Sequence, residues 1–549
     1  MRYSKLIIPA IIGALAAVAC TKDEPTGIKT RDNTGDNTTV QPTGEIPDYA
    51  DDYRSIASWD QHVKWNLANV HDPSIAYYDG WYYMYGTDAS YGNEHLKAST
   101  GRHFPGKRSK DLVNWSYISG PFNDAPAWVK TKLNEIRSSM GLSAMNNPNY
   151  GYWAPVIRVV NGKLRMYYCI VINDNISGTN SWGERAFIGM CETSDPMSGW
   201  EDKGYVLCSS SDKGKDGWGR PDLTKWDAYF YYNAIDPTYI EAPDGKHWLI
   251  YGSWHSGFAR VEINPSTGMP VNAVGDPWAD SPEGLAANGF GTRVGARNAS
   301  RWQGSEAPEI VYKDGFYYLF MAYDGLDVPY NTRVVRSDKI EGPYYDITGR
   351  NFSNARGDCF PIVTHPYKFN DGYGWVGISH CCIFQQEGTG DWFYCSQGRL
   401  PDSAGGNAPN AVMMGHVRRI VWCPASADDL TNLWPIALPE RYAGLSNTPV
   451  TKAEIAGTWE HIDLGYKYAQ MDTSADLILN DTGNMTGALT GTWSFDEASQ
   501  FLTLKTSDKT VVVVVAHEAD WEASPRKATI VYAGTEKNLN STWWGKKVK

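Results

Sequence analysis

One phrase returns along this chain, and its period restricts the fold more than any other feature. It reads HDPSIAYYDGWYYMYGT from His71, YWAPVIRVVNGKLRMYYCI from Tyr152, NAIDPTYIEAPDGKHWLIYGSW from Asn233 and SEAPEIVYKDGFYYLFMAY from Ser305. In each copy a polar or acidic residue and a proline open a β-rich strand, Asp-Gly or Asn-Gly makes a tight turn, and an aromatic strand follows. A fifth, weaker copy reads DGYGWVGISHCCIF followed by GTGDWFYCSQG. The copies recur about every 70 to 80 residues, long enough for a four-stranded blade and too long for an ordinary solenoid repeat. Five such blades predict a five-bladed β-propeller. The innermost strand of each blade starts near the propeller axis, so residues opening equivalent hairpins converge there although distant in sequence. Asp72, Asp236, Glu306 and His380 are gathered by that geometry.

Composition agrees. The chain is 42% hydrophobic with 23 Trp, 34 Tyr and 53 Gly, which suits short aromatic strands and tight turns. Its formal charge of -12 disfavours nucleic acid, whose recognition needs a basic field, and favours a neutral polymer. Residues 51–445 are assigned to the propeller. After Leu445 the pattern changes to GTWEHIDLGYKY, ADLILNDTGNMTGALTGTWSF, QFLTLKTSDKTVVVVVAHE and ATIVYAGTEK, alternating strands of a second, small β-barrel or sandwich over 446–549. The whole chain is therefore read as all-β. Packing against the propeller is the expected role of the second domain, with sugar binding through Trp543 and Trp544 the alternative.

Residues 1–20 read as an export signal: Arg2 and Lys5 lead, an apolar run spans Leu6 to Leu15, and small residues precede Cys20. The run is too short to be a transmembrane helix. Ala17-Val18-Ala19-Cys20 resembles a bacterial lipobox, which makes Cys20 the lipidation site, and Thr21-Lys22-Asp23-Glu24 resembles the acidic signal that sends some lipoproteins to the outer cell surface. An outer-membrane lipoprotein is expected, with a periplasmic or secreted protein the alternative. Residues 21–50, rich in Thr, Asp, Asn, Gly and Pro, form a disordered tether. The other eight cysteines lack paired metal or redox spacing, several lie in aromatic strands, and free buried thiols are expected.

Glycosidic hydrolysis needs a proton for the leaving oxygen and a nucleophile at the anomeric carbon, and two carboxyl groups supply both. One must stay protonated while the other is ionised, so a third carboxylate that raises the acid by like-charge repulsion is chemically sensible. The stretch from His71 to Trp434 carries SKDLVNW, YWAPVI, AFIGMCETSD, YNAIDP, YGSWHSG, EAPEIV, NTRVVRS and GPYYD in order, and it resembles glycoside hydrolase family 43, within it the endo-α-1,5-L-arabinanases. The resemblance implies that Asp72 of HDPS is the general base, Asp236 of NAIDP the residue that tunes the acid, and Glu306 of SEAPEI the general acid. Glu309 is the nearest rival for the acid, and strand alternation predicts it on the opposite face from Glu306.

Sugar binding needs flat apolar surfaces and polar groups at the hydroxyls, which Trp153, Asn233, Ser253, Trp254 and His255 offer. The resemblance further puts His380 beside an axial metal, calcium, otherwise coordinated by water; no organic cofactor is implied. Val156 stands where many relatives have Asp, and Ser379-His380-Cys381 where they often have Gly-His-Asn. The expectation is a monomeric, inverting endo-arabinanase acting on arabinan or arabino-oligosaccharides of pectin outside the cell, touching membrane only through its lipid. Alternatives are an exo-acting α-L-arabinofuranosidase or β-xylosidase, and a non-catalytic surface glycan-binding protein.

Overall fold

In a computed structural model the described residues are 46–48, 54–88, 96, 102–174, 183–211, 230–297, 304–353, 358–370, 372–404 and 412–549. The expected signal, Cys20 and nearly all of the tether lie outside them.

Five four-stranded antiparallel sheets form the propeller. Their first strands are Ser74–Tyr78, Tyr150–Val160, Thr238–Glu241, Ser305–Lys313 and Cys382–Gln385. These five pack against one another in ring order, the fifth closing onto the first. The hairpin turns follow the sequence. Asp79-Gly80, Asn161-Gly162 and Asp314-Gly315 all have positive φ at both positions, the requirement of a two-residue type I′ turn. Blade 3 differs: Pro243 precedes Asp244-Gly245, and the turn is longer, closed by the Ala242 N–H on the Lys246 carbonyl (2.8 Å).

Tyr82, Tyr83, Tyr317 and Tyr318 are buried between blades, as expected of sheet-packing aromatics. One apolar cluster fills the seams of blades 1 to 3, another joins blades 3 and 4, and a third joins blades 1 and 5. The ring closes without strand exchange. The run before blade 1 lies along blade 5 instead, where the Gly415 N–H donates to the Leu67 carbonyl (2.8 Å) and the Val70 N–H to the Met413 carbonyl (3.2 Å). All eight described cysteines are free and buried.

The C-terminal domain is a closed eight-stranded barrel, which decides between the barrel and sandwich expected. Its neighbouring tryptophans point to opposite faces, as strand alternation requires. Trp543 is in the barrel core, and Trp544 lies in the seam with blades 4 and 5, its ring 5.1 Å from that of Tyr367. Both are essentially inaccessible, so sugar binding through Trp543 and Trp544 is ruled out and packing is their role. The end of the expected tether is also ordered: Ile46 packs on Ala443, Leu445 and Trp521, and the Pro47 carbonyl accepts from Arg526.

At the junction the buried Lys546 ammonium lies 3.1 Å from Glu440, 3.0 Å from Asp520 and 2.5 Å from Glu522. Glu440 belongs to the segment linking the domains, so Lys546 ties that segment to the barrel. Removing the cation strands three buried carboxyls; Lys546→Met is expected to lower stability by about 3–5 kcal/mol, read as a fall in the urea midpoint of the full chain.

Candidate active site

Each first strand has a short kink at its axial end, just before the strand in blades 1, 3 and 5 and as a bulge within it in blades 2 and 4. Asp72-Pro73, Ala154-Pro155, Asp236-Pro237, Ala307-Pro308 and His380-Cys381 occupy equivalent places, two residues before Ser74, Val156, Thr238, Glu309 and Cys382. Asp72, Asp236, Ala307 and His380 share a left-handed backbone, with φ of 49°, 53°, 54° and 55°. Asp and His tolerate that region better than most residues, whereas in Ala307 it costs about 1–2 kcal/mol. The Ala307 N–H donates to Asp236 Oδ2 (3.2 Å), which helps hold the strained turn. Glu306 is therefore not at the position equivalent to the two aspartates, as expected, but one residue earlier. Trp153 holds that earlier position in blade 2, and both strands slip register at this point.

The bulge also revises the reading of Glu309. Alternation does not run unbroken from Glu306, and Glu309 turns to the axis, where it takes Arg158 Nη2 (2.7 Å), Thr238 Oγ1 (2.6 Å) and the Ile383 N–H (3.1 Å). It is committed to blades 2, 3 and 5 and is no free acid. Val156, at the matching place in blade 2, is core.

Asp72 is held from two blades. Thr87 Oγ1 donates to Oδ2 (2.6 Å), His380 Nδ1 lies 3.0 Å and His71 Nε2 3.3 Å from Oδ1, and the Asp72 N–H donates to Gln397 Oε1 (2.6 Å). Burial opposes ionisation of Asp72, but the two imidazoles and the Thr87 hydroxyl outweigh it and hold the carboxyl well below its usual range. Burial likewise works against a charged His380, yet Asp72, then Asp236 and Glu306, push it up to about 9. His71 is pulled down to about 4, chiefly by burial.

Glu306 is bound on both oxygens. Oε2 accepts from Ser253 Oγ (3.0 Å) and Trp254 Nε1 (2.8 Å), and Oε1 from the Tyr330 hydroxyl (2.6 Å). These donors favour the ionised form, but burial outweighs them and the Glu306 carboxyl is raised. Asp236 is raised to about 8 by burial and by the charges of Glu306 and Asp72, against His380. The structure thus sets one easily ionised carboxyl and two reluctant ones around a single axis.

Of the expected sugar-binding residues, Ser253 and Trp254 orient Glu306. Asn233 is 2% exposed, its side-chain carbonyl accepting from Ser209 Oγ (2.8 Å). The His255 ring lies 5.8 Å from Phe230, and Trp153 is half-buried against the core of blades 1 to 3. Thr87, Tyr330, Gln397 and His71 were not singled out by the sequence reading. Thr87 had a signal: Tyr85-Gly86-Thr87 repeats Tyr251-Gly252-Ser253 at the exit of the second strand. Gly86 is required there, because a Cβ would lie 2.3 Å from the His71 carbonyl oxygen. Tyr330 and Gln397 had none.

Calcium prefers six to eight oxygen ligands. His380 offers an imidazole whose Nδ1 is committed to Asp72 and which favours its protonated form. Among the described residues the three-acid cluster with closely grouped oxygens is Glu440, Asp520 and Glu522, already filled by Lys546. The residues around His380 do not fit a protein-built calcium site, and no step below passes through a metal.

Comparison with known proteins extends the geometry. A C-terminal lipocalin-like domain profile matches residues 439–545. An extracellular endo-alpha-(1->5)-L-arabinanase of Thermotoga petrophila is 26% identical over 506 residues, covering 88% of this chain and 95% of that protein. An extracellular endo-alpha-(1->5)-L-arabinanase 2 of Bacillus subtilis is 27% identical over 447 residues, covering 77% and 82%. The crystal structure of a family 43 glycoside hydrolase from Bacillus licheniformis superimposes with a TM-score of 0.65 at 25% identity, covering 87% of this chain and 98% of that one. The profile of glycosyl hydrolases family 43 matches residues 67–418, well over half of the 549 residues, and the chain belongs to that family of glycoside hydrolases.

Proposed function

We propose that this glycoside hydrolase cleaves the α-1,5-linked backbone of arabinan internally, outside the cell, by a single displacement with inversion. Asp72 is the general base, Glu306 the general acid, and Asp236 keeps Glu306 oriented and protonated. The observation that carries this is the opposite treatment of two carboxyls in one channel: donors and imidazoles favour the Asp72 anion, whereas burial outweighs the donors around Glu306 and favours its protonated form. Asp72 comes from blade 1 and Glu306 from blade 4, which are not neighbours in the ring, and single displacement requires a water between the two carboxyls. Activity on the arabinan backbone rests on the named activity of the Thermotoga petrophila and Bacillus subtilis relatives. Export and a lipid on Cys20 rest on the N-terminal sequence.

Early products from linear arabinan form an oligosaccharide ladder if action is internal; arabinose alone overturns that and indicates exo action, and retention on arabinan without product indicates a binding protein. Proton NMR of the first turnover is expected to show the anomer opposite to the substrate linkage. Asp72→Asn is expected to lose 10²–10⁴-fold in kcat on every substrate, whereas Glu306→Gln loses as much on oligosaccharides and far less on an aryl arabinoside with a good leaving group.

Tyr330→Phe gives a pH test. The Tyr330 hydroxyl favours ionised Glu306, so removing it raises the Glu306 pKa further. The alkaline limb of kcat/KM, where the acid loses its proton, then moves up by about one pH unit. An unmoved limb would remove Glu306 from the acid role.

A further inference from the structure

Of the donors that hold Glu306, the Trp254 indole is the largest and the hardest to place. Its Nε1–H donates to Oε2 (2.8 Å), the oxygen that Ser253 Oγ also reaches (3.0 Å). Trp254 has a left-handed backbone, φ 55°, which a bulky residue seldom adopts. Two backbone bonds hold it there: the Trp254 N–H donates to the Ser305 carbonyl (2.9 Å), and the Gly257 N–H to the Trp254 carbonyl (2.7 Å). The exit of blade 3 is thereby fastened to the residue that precedes Glu306.

The indole also has a floor. Gly304, buried at the entry of blade 4, lies against its face. A Cβ on Gly304 would stand 2.2 Å from Trp254 Cδ2 and from Cε3, and 2.8 Å from Cγ, far inside ordinary carbon contact at about 3.5–4.0 Å. Those atoms are the root and ring fusion of the indole, not a tip that bends away. Gly304 is not among the glycines with a left-handed backbone, so its conformation would accept alanine, and the close approach alone calls for glycine.

The backbones on both sides are tied down. Arg297 Nη1 donates to the Gly304 carbonyl (3.5 Å) and the Arg297 N–H to Ser305 Oγ (3.2 Å), while the same guanidinium pairs with Asp324 and Asp358 (2.7 Å each). A group added at Gly304 therefore displaces the indole, and Nε1 with it.

We propose that Gly304 is a positioning residue for the general acid: its bare Cα seats the Trp254 indole at the height from which Nε1 reaches Glu306 Oε2. This deepens the reading of Glu306 as general acid and rests on it. No proton moves in this role; Gly304 acts only through the indole.

The test pairs Gly304→Ala, which fills the seat, with Trp254→Phe, which removes the Nε1–H. Each is expected to lower kcat on linear arabinan by ~10-fold or more, with a much smaller loss on an aryl arabinoside bearing a good leaving group. The indole N–H favours ionised Glu306, so its loss raises the acid, and the alkaline limb of kcat/KM moves up by ~1 pH unit in both variants. A glycine needed only for folding would lower the melting temperature and leave the limb in place. In a Trp254→Ala background the seat is empty, and adding Gly304→Ala is expected to change neither rate nor melting temperature. That background also carries the test if Gly304→Ala alone does not fold. An unmoved limb in Gly304→Ala or in Trp254→Phe, or a further loss when Gly304→Ala is added to Trp254→Ala, overturns the proposal. Glu306→Gln separates the two readings: full activity on oligosaccharides removes the acid role, whereas its inactivity beside an unaffected Gly304→Ala removes only the seat.

Discussion

Five strands that start around one axis leave backbone N–H groups there with no partner in their own sheets, and every such group must find an acceptor. The neighbouring blade supplies it. The Ile157 N–H donates to Ser74 Oγ (3.0 Å), the Ile310 N–H to Thr238 Oγ1 (3.4 Å) and the Ile383 N–H to Glu309 Oε1 (3.1 Å). Glu309 is the most connected member, since its carboxylate also takes Arg158 and Thr238. This belt fixes the order and rotation of the blades, and the kinked residues immediately before it are thereby aimed into the channel.

The same convergence sets the electrostatics. Burial alone would raise every carboxyl here, and what separates them is the kind of partner each blade brings. Asp72 meets two imidazoles and a hydroxyl, whereas Glu306 meets three neutral donors and Asp236 meets a backbone N–H and two like charges. His380, entering from the fifth blade, is drawn to all three and bonded to one. Division of labour among three acids of similar intrinsic strength thus follows from which strand exits surround them.

The barrel supports the two blades that carry Glu306 and His380. Besides the Trp544 seam, the Arg419 guanidinium of blade 5 pairs with Glu518 of the barrel (3.1 Å), and Thr542 Oγ1 donates to the Ile362 carbonyl (2.6 Å). The Tyr466 hydroxyl donates to Asp324 Oδ2 (2.9 Å), and Asp324 is itself held by Arg297 (2.7 Å) and Asn331 (3.1 Å). Asp324 stands at the second-strand exit of blade 4, in the loop that carries Tyr330 to Glu306. The barrel thus reaches the site through packing and one short polar chain.

The sequence by itself determined the blades, because alternation, Asx-Gly turns and the x-Pro entry are local properties repeated at a regular period. It also determined which acids meet, since the fold carries the start of every first strand to one axis. Tertiary structure alone decided the rest. The bulge after Glu306 and the left-handed turn at Ala307 displaced Glu306 from the register of Asp72 and Asp236 and turned Glu309 inward, and no two-residue periodicity contains a slip. Tyr330 and Gln397 come from separate blades, and their residues carry no signal until packing brings them to Glu306 and to Asp72. Protonation of the acids was likewise undecided in the chain, because it depends on burial and on donors from other blades, which exist only once the ring has closed.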